Sequence, residues 1–158
     1  HRNVQGIAVQ PGTGAVWTIE HGTRGGDEVN LDKAGLNYGW PDAAYGVEYA
    51  GGAINAGATQ KEGTEQPVYY WDPVIAPGGA TFYQGAMFPG WKGNLLVAGL
   101  AGRHIARLVI ENDRVVGEER LLTDLGARVR DVAVSPDGAV WAITDEEDGK
   151  LVRLAAAR

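Results

Sequence analysis

Three short polar segments carry side chains that could bind a charged ligand or a metal ion, and the first of them opens the chain. Arg2, Asn3 and Gln5 directly precede a short β-rich segment. Their guanidinium and amide groups are planar hydrogen-bond donors, which suit a ligand bearing carboxylates and carbonyls. Solvated polar residues before a strand would give the same pattern, so this segment alone leaves both interpretations open.

The second segment is glycine-rich and spans residues 20–30, with Asp27 and Glu28 near its end. Backbone carbonyls and carboxylates are the hard oxygen ligands that calcium prefers. The alternating Asp/Asn spacing of an EF-hand is absent, and no Lys-Ser/Thr pair follows as it would in a phosphate-binding loop. The segment therefore indicates either an irregular calcium site or an ordinary surface loop.

The third segment contains Arg128 and Arg130. Alternate side chains of a strand lie on one face, so the two guanidiniums are expected on the same face, with Asp131 facing the other way in a structural role. Two like charges on one face predict a bound carboxylate or phosphate. Surface arginines paired with nearby acids would share this pattern. The acidic run at 145–148 is expected to be a solvated hairpin tip.

These segments belong to a chain that repeats itself. Three times, a β-rich run, a Pro/Gly turn and a second β-rich run form the pattern of a β-hairpin. The copies lie roughly 50 to 75 residues apart, within the range of propeller blades with insertions. They span 6–19, 79–98 and 131–143, and further apolar runs follow. Four antiparallel strands build a blade, so we predict an all-β propeller fold with about three four-stranded blades.

Two stretches between the hairpins need a separate interpretation. Residues 42–65 are rich in Gly and Ala and are interpreted as a long loop inserted into the first blade, with a mobile surface excursion as the alternative. Residues 67–77 are expected to form an outer strand entering the second blade. Three blades do not close a ring, because propellers have about four to eight. We therefore expect the remaining half of the propeller, or a second copy of this chain, as a partner.

The composition excludes several functions. The 158 residues carry a net charge of −6, which argues against nucleic-acid binding. No apolar run reaches the roughly 18 residues of a membrane-spanning helix. Because cysteine is absent, disulfides, thiolate metal sites and cysteine nucleophiles are excluded. The chain begins at His1, without Met or a signal peptide, as expected for the interior of a longer protein.

Taken together and in order, the motifs are far more specific than any one of them. The chain reads HRNxQG from His1, EHG from Glu20, NYGWP from Asn37, GTEQP from Gly63 and RxRD from Arg128. This succession resembles the glucose/sorbosone dehydrogenase family, and within it the soluble aldose sugar dehydrogenases that use pyrroloquinoline quinone (PQQ). The resemblance runs along nearly the whole chain and covers the later half of the family's six-bladed propeller. It implies that residues 1–158 are the C-terminal portion of a single propeller domain.

The resemblance also implies a role for the basic and amide side chains. Arg2, Asn3 and Gln5 match the family's cofactor-contacting residues, and Arg128 and Arg130 match the pair that grips the PQQ carboxylates. Many members also place a lysine beside the quinone. This chain has Ala101-Gly102-Arg103 at that point, so the contact either passes to Arg103 or is absent.

For the metal, the resemblance implies two calcium sites. The backbone carbonyls of Gly22 and Thr23 would hold the calcium that polarises the quinone, and Glu28 with the carbonyl of Tyr38 would form a structural site. Thr23 stands where the family often has proline, a change that a backbone-carbonyl ligand tolerates.

The implied activity is the oxidation of aldose sugars to lactones by a periplasmic or secreted enzyme. A hydride passes from the anomeric carbon to the quinone, calcium makes the quinone more electrophilic, and a histidine accepts the hydroxyl proton. That histidine belongs to the family's earlier half, and neither His1 nor His21 matches its motif. We therefore assign no catalytic residue and expect the segment alone to be inactive. A non-catalytic propeller binding or scaffold module is the alternative, followed by a lactonase-like hydrolase.

Overall fold

All regular structure is β, as the sequence predicts. The computed structural model describes residues 1–157, and none of these residues is α-helical. Three short 3-10 turns occur at Ile54–Gly57, Pro89–Trp91 and Thr123–Leu125. Within the described residues, no helix has the length and apolar character needed to cross a bilayer. The strands are β1 Val4–Val9, β2 Val16–Glu20, β3 Asp27–Asp32, β4 Tyr69–Trp71, β5 Pro77–Phe82, β6 Leu95–Gly99, β7 His104–Glu111, β8 Arg114–Leu121, β9 Val129–Val134, β10 Val140–Thr144 and β11 Leu151–Leu154.

Consecutive strands form three antiparallel sheets. The first contains β1 to β4, the second β5 to β8 and the third β9 to β11. Each predicted hairpin is present, for example with Val9 opposite Val16 and Val134 opposite Val140. The third sheet has three strands in the described part of the chain, where four were expected. The prediction for 67–77 was wrong in one respect: β4 pairs with β3 and is the outer strand of the first sheet, because Trp71 lies opposite Asp27.

The second sheet is buried on both faces, and strand β6 shows why its sequence is apolar without interruption. Leu95 and Val97 pack into a core shared with the first sheet, whereas Leu96 and Ala98 pack into a core shared with the third. All four side chains are fully buried. Successive strand residues face opposite sides, so a sheet between two others needs apolar residues at every position. Each buried leucine contributes roughly 1.5–3 kcal/mol.

The innermost strands of the three sheets, β1, β5 and β9, lie against one another because glycine occupies the contact points. A Cβ atom on Gly6 would lie 2.7 Å from the Gly78 carbonyl oxygen, and one on Gly78 would lie 2.1 Å from that of Arg130. No side chain fits at such distances. This close approach brings residues from both ends of the chain to one place.

Residues 42–65 lie between β3 and β4 and contain no strand. The segment is tied to the glycine-rich segment, because Arg24 and Val47 exchange two backbone hydrogen bonds of 3.2 and 3.0 Å. Tyr45 also stacks on Tyr70 with ring centroids 4.0 Å apart. These contacts hold the long loop over the end of the first sheet.

Candidate functional site: two neighbouring cavities

A small cavity of about 20 Å³ lies where β2 ends and the glycine-rich segment begins. Its lining includes Arg2 and four residues predicted to hold calcium, namely Gly22, Thr23, Glu28 and Tyr38. A volume of this size holds one water molecule or a single ion. The structure therefore brings together the predicted metal-binding residues and one predicted cofactor residue, although they are up to 36 positions apart in the sequence.

Two carboxylates make this cavity electronegative. Asn30 donates from Nδ2 to Glu20 Oε1 at 3.0 Å and to Glu28 Oε2 at 3.3 Å. Burial, together with a smaller contribution from the charge of Glu20, raises the pKa of the Glu28 carboxyl to about 7, and the hydrogen bond from Asn30 opposes this rise. A nearby cation would relieve this cost.

Unpaired oxygen atoms point to the same conclusion. Thr23 Oγ1 and Asn30 Oδ1 are buried without a hydrogen-bond partner among the described residues. Buried acceptors of this kind are normally satisfied. No group of three or more His, Asp or Glu side chains in residues 1–157 could hold a metal, but the expected ligand set uses main-chain carbonyls with one carboxylate. The donor chemistry fits a hard cation such as calcium.

Tyr38 and Asp27 are occupied by structural contacts. The Tyr38 hydroxyl donates to the Leu31 carbonyl at 2.9 Å and accepts from Lys33 N at 2.7 Å, so only its carbonyl is a candidate ligand. Asp27 accepts hydrogen bonds from the backbone of Gly22, Ile75 and Ala76 at 2.7–2.9 Å. Burial raises the pKa of Asp27. This carboxylate fastens the glycine-rich segment to the start of the second sheet.

Of the predicted cofactor residues at the start of the chain, Arg2 and Gln5 line different cavities, and Asn3 lies between them in the sequence. The Arg2 guanidinium borders the small cavity, donates to the His21 carbonyl at 3.1 Å and to the Tyr49 hydroxyl at 3.2 Å, and lies 5.2 Å from the Trp40 ring centre. Gln5 donates to Asn3 Oδ1 at 2.8 Å. Gln5 also lines a second, open cavity of about 200 Å³.

This open cavity is formed where all three innermost strands are irregular. The register shifts at Gln5 in β1, at Gly78 and Gly79 in β5, and at Arg130 in β9. These residues, with Asp131 and Ile143, line the cavity. A β-bulge re-aims side chains and often lies beside a functional site. The three bulges thus place Gln5 and Arg130 on one cavity wall.

The two predicted cofactor arginines converge, as expected, but on an acidic side chain. Asp145 Oδ2 lies 3.2 Å from Arg128 Nε and Nη2 and 2.8 Å from Arg130 Nη2. The guanidiniums of Arg130 and Arg128 hold the pKa of Asp145 below its ordinary value. Residues 145–148 lie in the turn between β10 and β11, as predicted for a hairpin tip, and Asp145 pairs with the two arginines from this turn. Asp131 was expected to face away from the arginines, yet it borders the same cavity as Arg130.

The comparisons with known proteins agree with these features. The family model described as Glucose / Sorbosone dehydrogenase matches residues 1–153. The chain belongs to this family. It is 42% identical over 155 residues to aldose sugar dehydrogenase YliI of Escherichia coli, covering 98% of this chain and 42% of that protein. The membership confirms the resemblance inferred from the motifs.

Solved structures of this family confirm the predicted β-propeller fold. A crystal structure of a glucose dehydrogenase matches 99% of this chain and 46% of its own, with a TM-score of 0.95 and 47% identity. The PQQ-bound aldose sugar dehydrogenase of Streptomyces coelicolor matches 98% of this chain and 43% of its own, with a TM-score of 0.74 and 26% identity. The chain thus spans less than half the length of these glucose/sorbosone dehydrogenase relatives.

Arg103, Glu20 and Asp145 make further contacts near the predicted site residues. Arg103 donates to the Gly126 carbonyl at 3.1 Å, which places it beside the segment leading to Arg128. The contacts made by Glu20 and Asp145 were not predicted from the sequence. Glu20 accepts backbone hydrogen bonds from Arg2 and Asn3, and the only sequence signal was its position beside His21 and Gly22 in a recognised motif.

Proposed function

We propose that this chain is part of a PQQ-dependent aldose sugar dehydrogenase and supplies contacts to PQQ and calcium. The observation that carries the proposal is that Gln5 and Arg130, from the first and third sheets, line one open cavity. Arg2 lines the small electronegative cavity. The short segment 2–5 therefore borders both cavities. A carboxylate-rich quinone and a divalent cation match these two environments in charge.

Each group of residues has a distinct task in this proposal. Arg2, Asn3 and Gln5 orient the ligand with planar donors, and Arg128 and Arg130 attract its carboxylates. For calcium, the ligands are the carbonyls of Gly22, Thr23 and Tyr38 and the carboxylate of Glu28. When bound, PQQ would supply the acceptor for a hydride from the anomeric carbon of the sugar, and calcium would increase the electrophilicity of that acceptor. We assign no proton acceptor to this chain and propose that the described segment alone does not oxidise sugars.

Further blades are proposed as partners, and we propose the periplasm or the extracellular space as the location of the complete enzyme. Ile7 and Val9 are 65% and 61% exposed on the outer face of the first sheet, and Ile143 and Leu151 are 44% and 67% exposed on that of the third. Apolar faces of this kind need a cover. The rest of a longer chain, or a second copy, fits them.

The test uses the full-length protein. PQQ is titrated into the apo form with calcium present, and aldose oxidation is followed with a dye acceptor. Binding together with turnover supports the proposal. If the protein binds no PQQ, the scaffold alternative is favoured, in which Asp145 permanently neutralises the two arginines. Turnover by the isolated 158-residue chain would contradict the absence of a proton acceptor, and His21 would then be the first residue to replace.

A further inference from the structure

We infer that Glu20 is a positioning residue that fixes the main chain of Arg2 and Asn3 and so aims their side chains at the ligand. The hydrogen bonds of Glu20 hold this main chain whatever ligand is bound. That the ligand is PQQ rests on the proposed function. Glu20 borders the small cavity and adds negative charge to it, but its oxygen atoms are occupied by other groups and are not metal ligands in this proposal. Its effect passes through the backbone it holds.

The hydrogen bonds of Glu20 are unusually complete. Its side chain is only 3% exposed. Oε2 accepts from Arg2 N at 2.6 Å and from Asn3 N at 3.0 Å. Oε1 accepts from Asn30 Nδ2 at 3.0 Å and lies 2.7 Å from His1 Nδ1. A carboxylate has about four acceptor positions, and each of them faces a nitrogen here.

These contacts determine the path of the chain before β1. Glu20 is the last residue of β2 and lies opposite Val4, the first residue of β1. Its side chain therefore extends beyond the paired part of the two strands. There it accepts hydrogen bonds from the amides of Arg2 and Asn3, which have no partner on a neighbouring strand among the described residues. The Asn3 carbonyl is fixed as well, because His21 N donates to it at 3.0 Å. Both hydrogen-bonding sides of the segment are thereby fixed.

The segment that Glu20 holds is short and carries binding side chains. Arg2 lines the small cavity, and Gln5, three residues later, lines the open cavity. A shift of the backbone by about 1 Å can reduce binding or catalysis by about 100-fold when it displaces positioning groups. Glu20 thus sets the relative position of contacts in the two cavities.

The alternative is that Glu20 only stabilises the fold, as buried carboxylates elsewhere do. Glu118 provides a matched control. Its Oε2 accepts from the Tyr69 hydroxyl at 2.7 Å and from Trp71 Nε1 at 3.0 Å, and it joins the outer strands of the first and second sheets. Among the described residues, the hydrogen-bond partners of its side chain are Tyr69, Trp71 and Arg120, and none of them lies in the segment 2–5. A purely structural role predicts that Glu20 and Glu118 variants behave alike.

The experiment compares Glu20→Gln, Glu20→Asp and Glu118→Gln in the full-length protein. Glutamine replaces one acceptor oxygen of Glu20 with an NH2 group, which cannot accept a hydrogen bond from the surrounding donors. Aspartate keeps both oxygen atoms, but its side chain is too short to reach the amides of both Arg2 and Asn3. We expect both Glu20 variants to weaken PQQ binding at least ten-fold, with the Michaelis constant for the sugar changing less than two-fold. Glu118→Gln should lower the melting temperature and keep PQQ affinity within two-fold of wild type.

A second measurement separates this inference from the proposed function. Hydrogen exchange of the backbone amides in residues 2–5 of the apo protein should accelerate at least ten-fold in the Glu20 variants and stay unchanged in Glu118→Gln. Unchanged exchange would overturn the inference, whether or not PQQ binds. Wild-type PQQ affinity in a folded Glu20 variant would overturn it too, and Glu20→Asp serves if Glu20→Gln does not fold. Wild-type protein that binds no PQQ would instead overturn the proposed function.

Discussion

The two cavities differ in how they are built. The small cavity is lined mainly by one sheet and its loops, and buried carboxylates hold its walls, with Asp27 fastening Gly22 and Glu20 fastening Arg2. The walls of the open cavity come from bulges in three separate strands, and a carboxylate supports only Arg130, through its ion pair with Asp145. The first cavity therefore depends on hydrogen bonds within one sheet and its loops, and the second depends mainly on how closely the three sheets pack.

The packing dependence of the open cavity gives the largest expected effect. A Cβ atom on Gly78 would lie 2.1 Å from the Arg130 carbonyl oxygen. Gly78→Ala should therefore force β5 and β9 apart and reduce the free energy of unfolding by about 3 kcal/mol, the upper end for overpacking. Urea unfolding of the full-length protein measures this. Gly90→Ala is the control, because nothing lies within 4 Å of its Cβ position, and an equal loss in both variants would contradict the packing argument.

The charge at the open cavity is tested by Arg130, which lines the cavity, and by Arg128, which shares the partner Asp145 with it. Arg130→Ala should weaken PQQ binding by about 1.5–3 kcal/mol, the range for a charge-assisted hydrogen bond, and Arg128→Ala should do the same. Titration of PQQ into the apo protein measures the change. Arg114→Ala is the control, because Arg114 is an exposed arginine at the start of β8. If both single variants retain wild-type affinity, the arginines serve only as partners of Asp145.

The small cavity should respond to calcium where the open cavity does not. A ligand that binds only the folded protein raises the free energy of unfolding by about 1.4 kcal/mol when its free concentration is ten times Kd. Thermal melts with calcium and with a chelator should differ accordingly for wild type and for Arg130→Ala. The difference should disappear in Glu28→Ala. If the wild-type melting curves with calcium and with chelator superimpose, the small cavity is not a calcium site.

The last expected effect is a pH dependence that arises at the small cavity. Burial raises the pKa of Glu28 to about 7, from an ordinary value of 4.5. The folded state therefore holds this proton more tightly than the unfolded state, so its contribution is fully present below pH 4.5 and is lost as the pH rises to about 7. Melts of the metal-free protein should show this decline, and Glu28→Gln should reduce it. If the melting temperature falls with pH equally in wild type and in Glu28→Gln, the pH dependence arises from a group other than Glu28.

Much of the fold could be predicted because its signals are local. Turn residues between alternating runs specify each hairpin, and the uninterrupted apolar run Leu95–Ala98 indicates a strand that is buried on both faces. The pairing of β4 was harder to predict. Whether Trp71 joins the sheet before it or after it depends on which edge is available, and the sequence of the strand carries no signal for that choice.

By itself, the sequence determined which residues could carry chemistry, because the types and order of Arg2, Gly22, Glu28 and Arg130 match one family's motifs. Only the tertiary structure decided their partners. Asp145 meets Arg128 and Arg130 from 15 to 17 residues away, and Glu20 meets Arg2 from 18 residues away. Such hydrogen bonds require atoms within about 3 Å, and that proximity is set by the register of two strand pairs, β1 with β2 and β9 with β10, and by the bulges in β1 and β9. Neither the register of a strand pair nor the direction of a bulge is encoded at a single position.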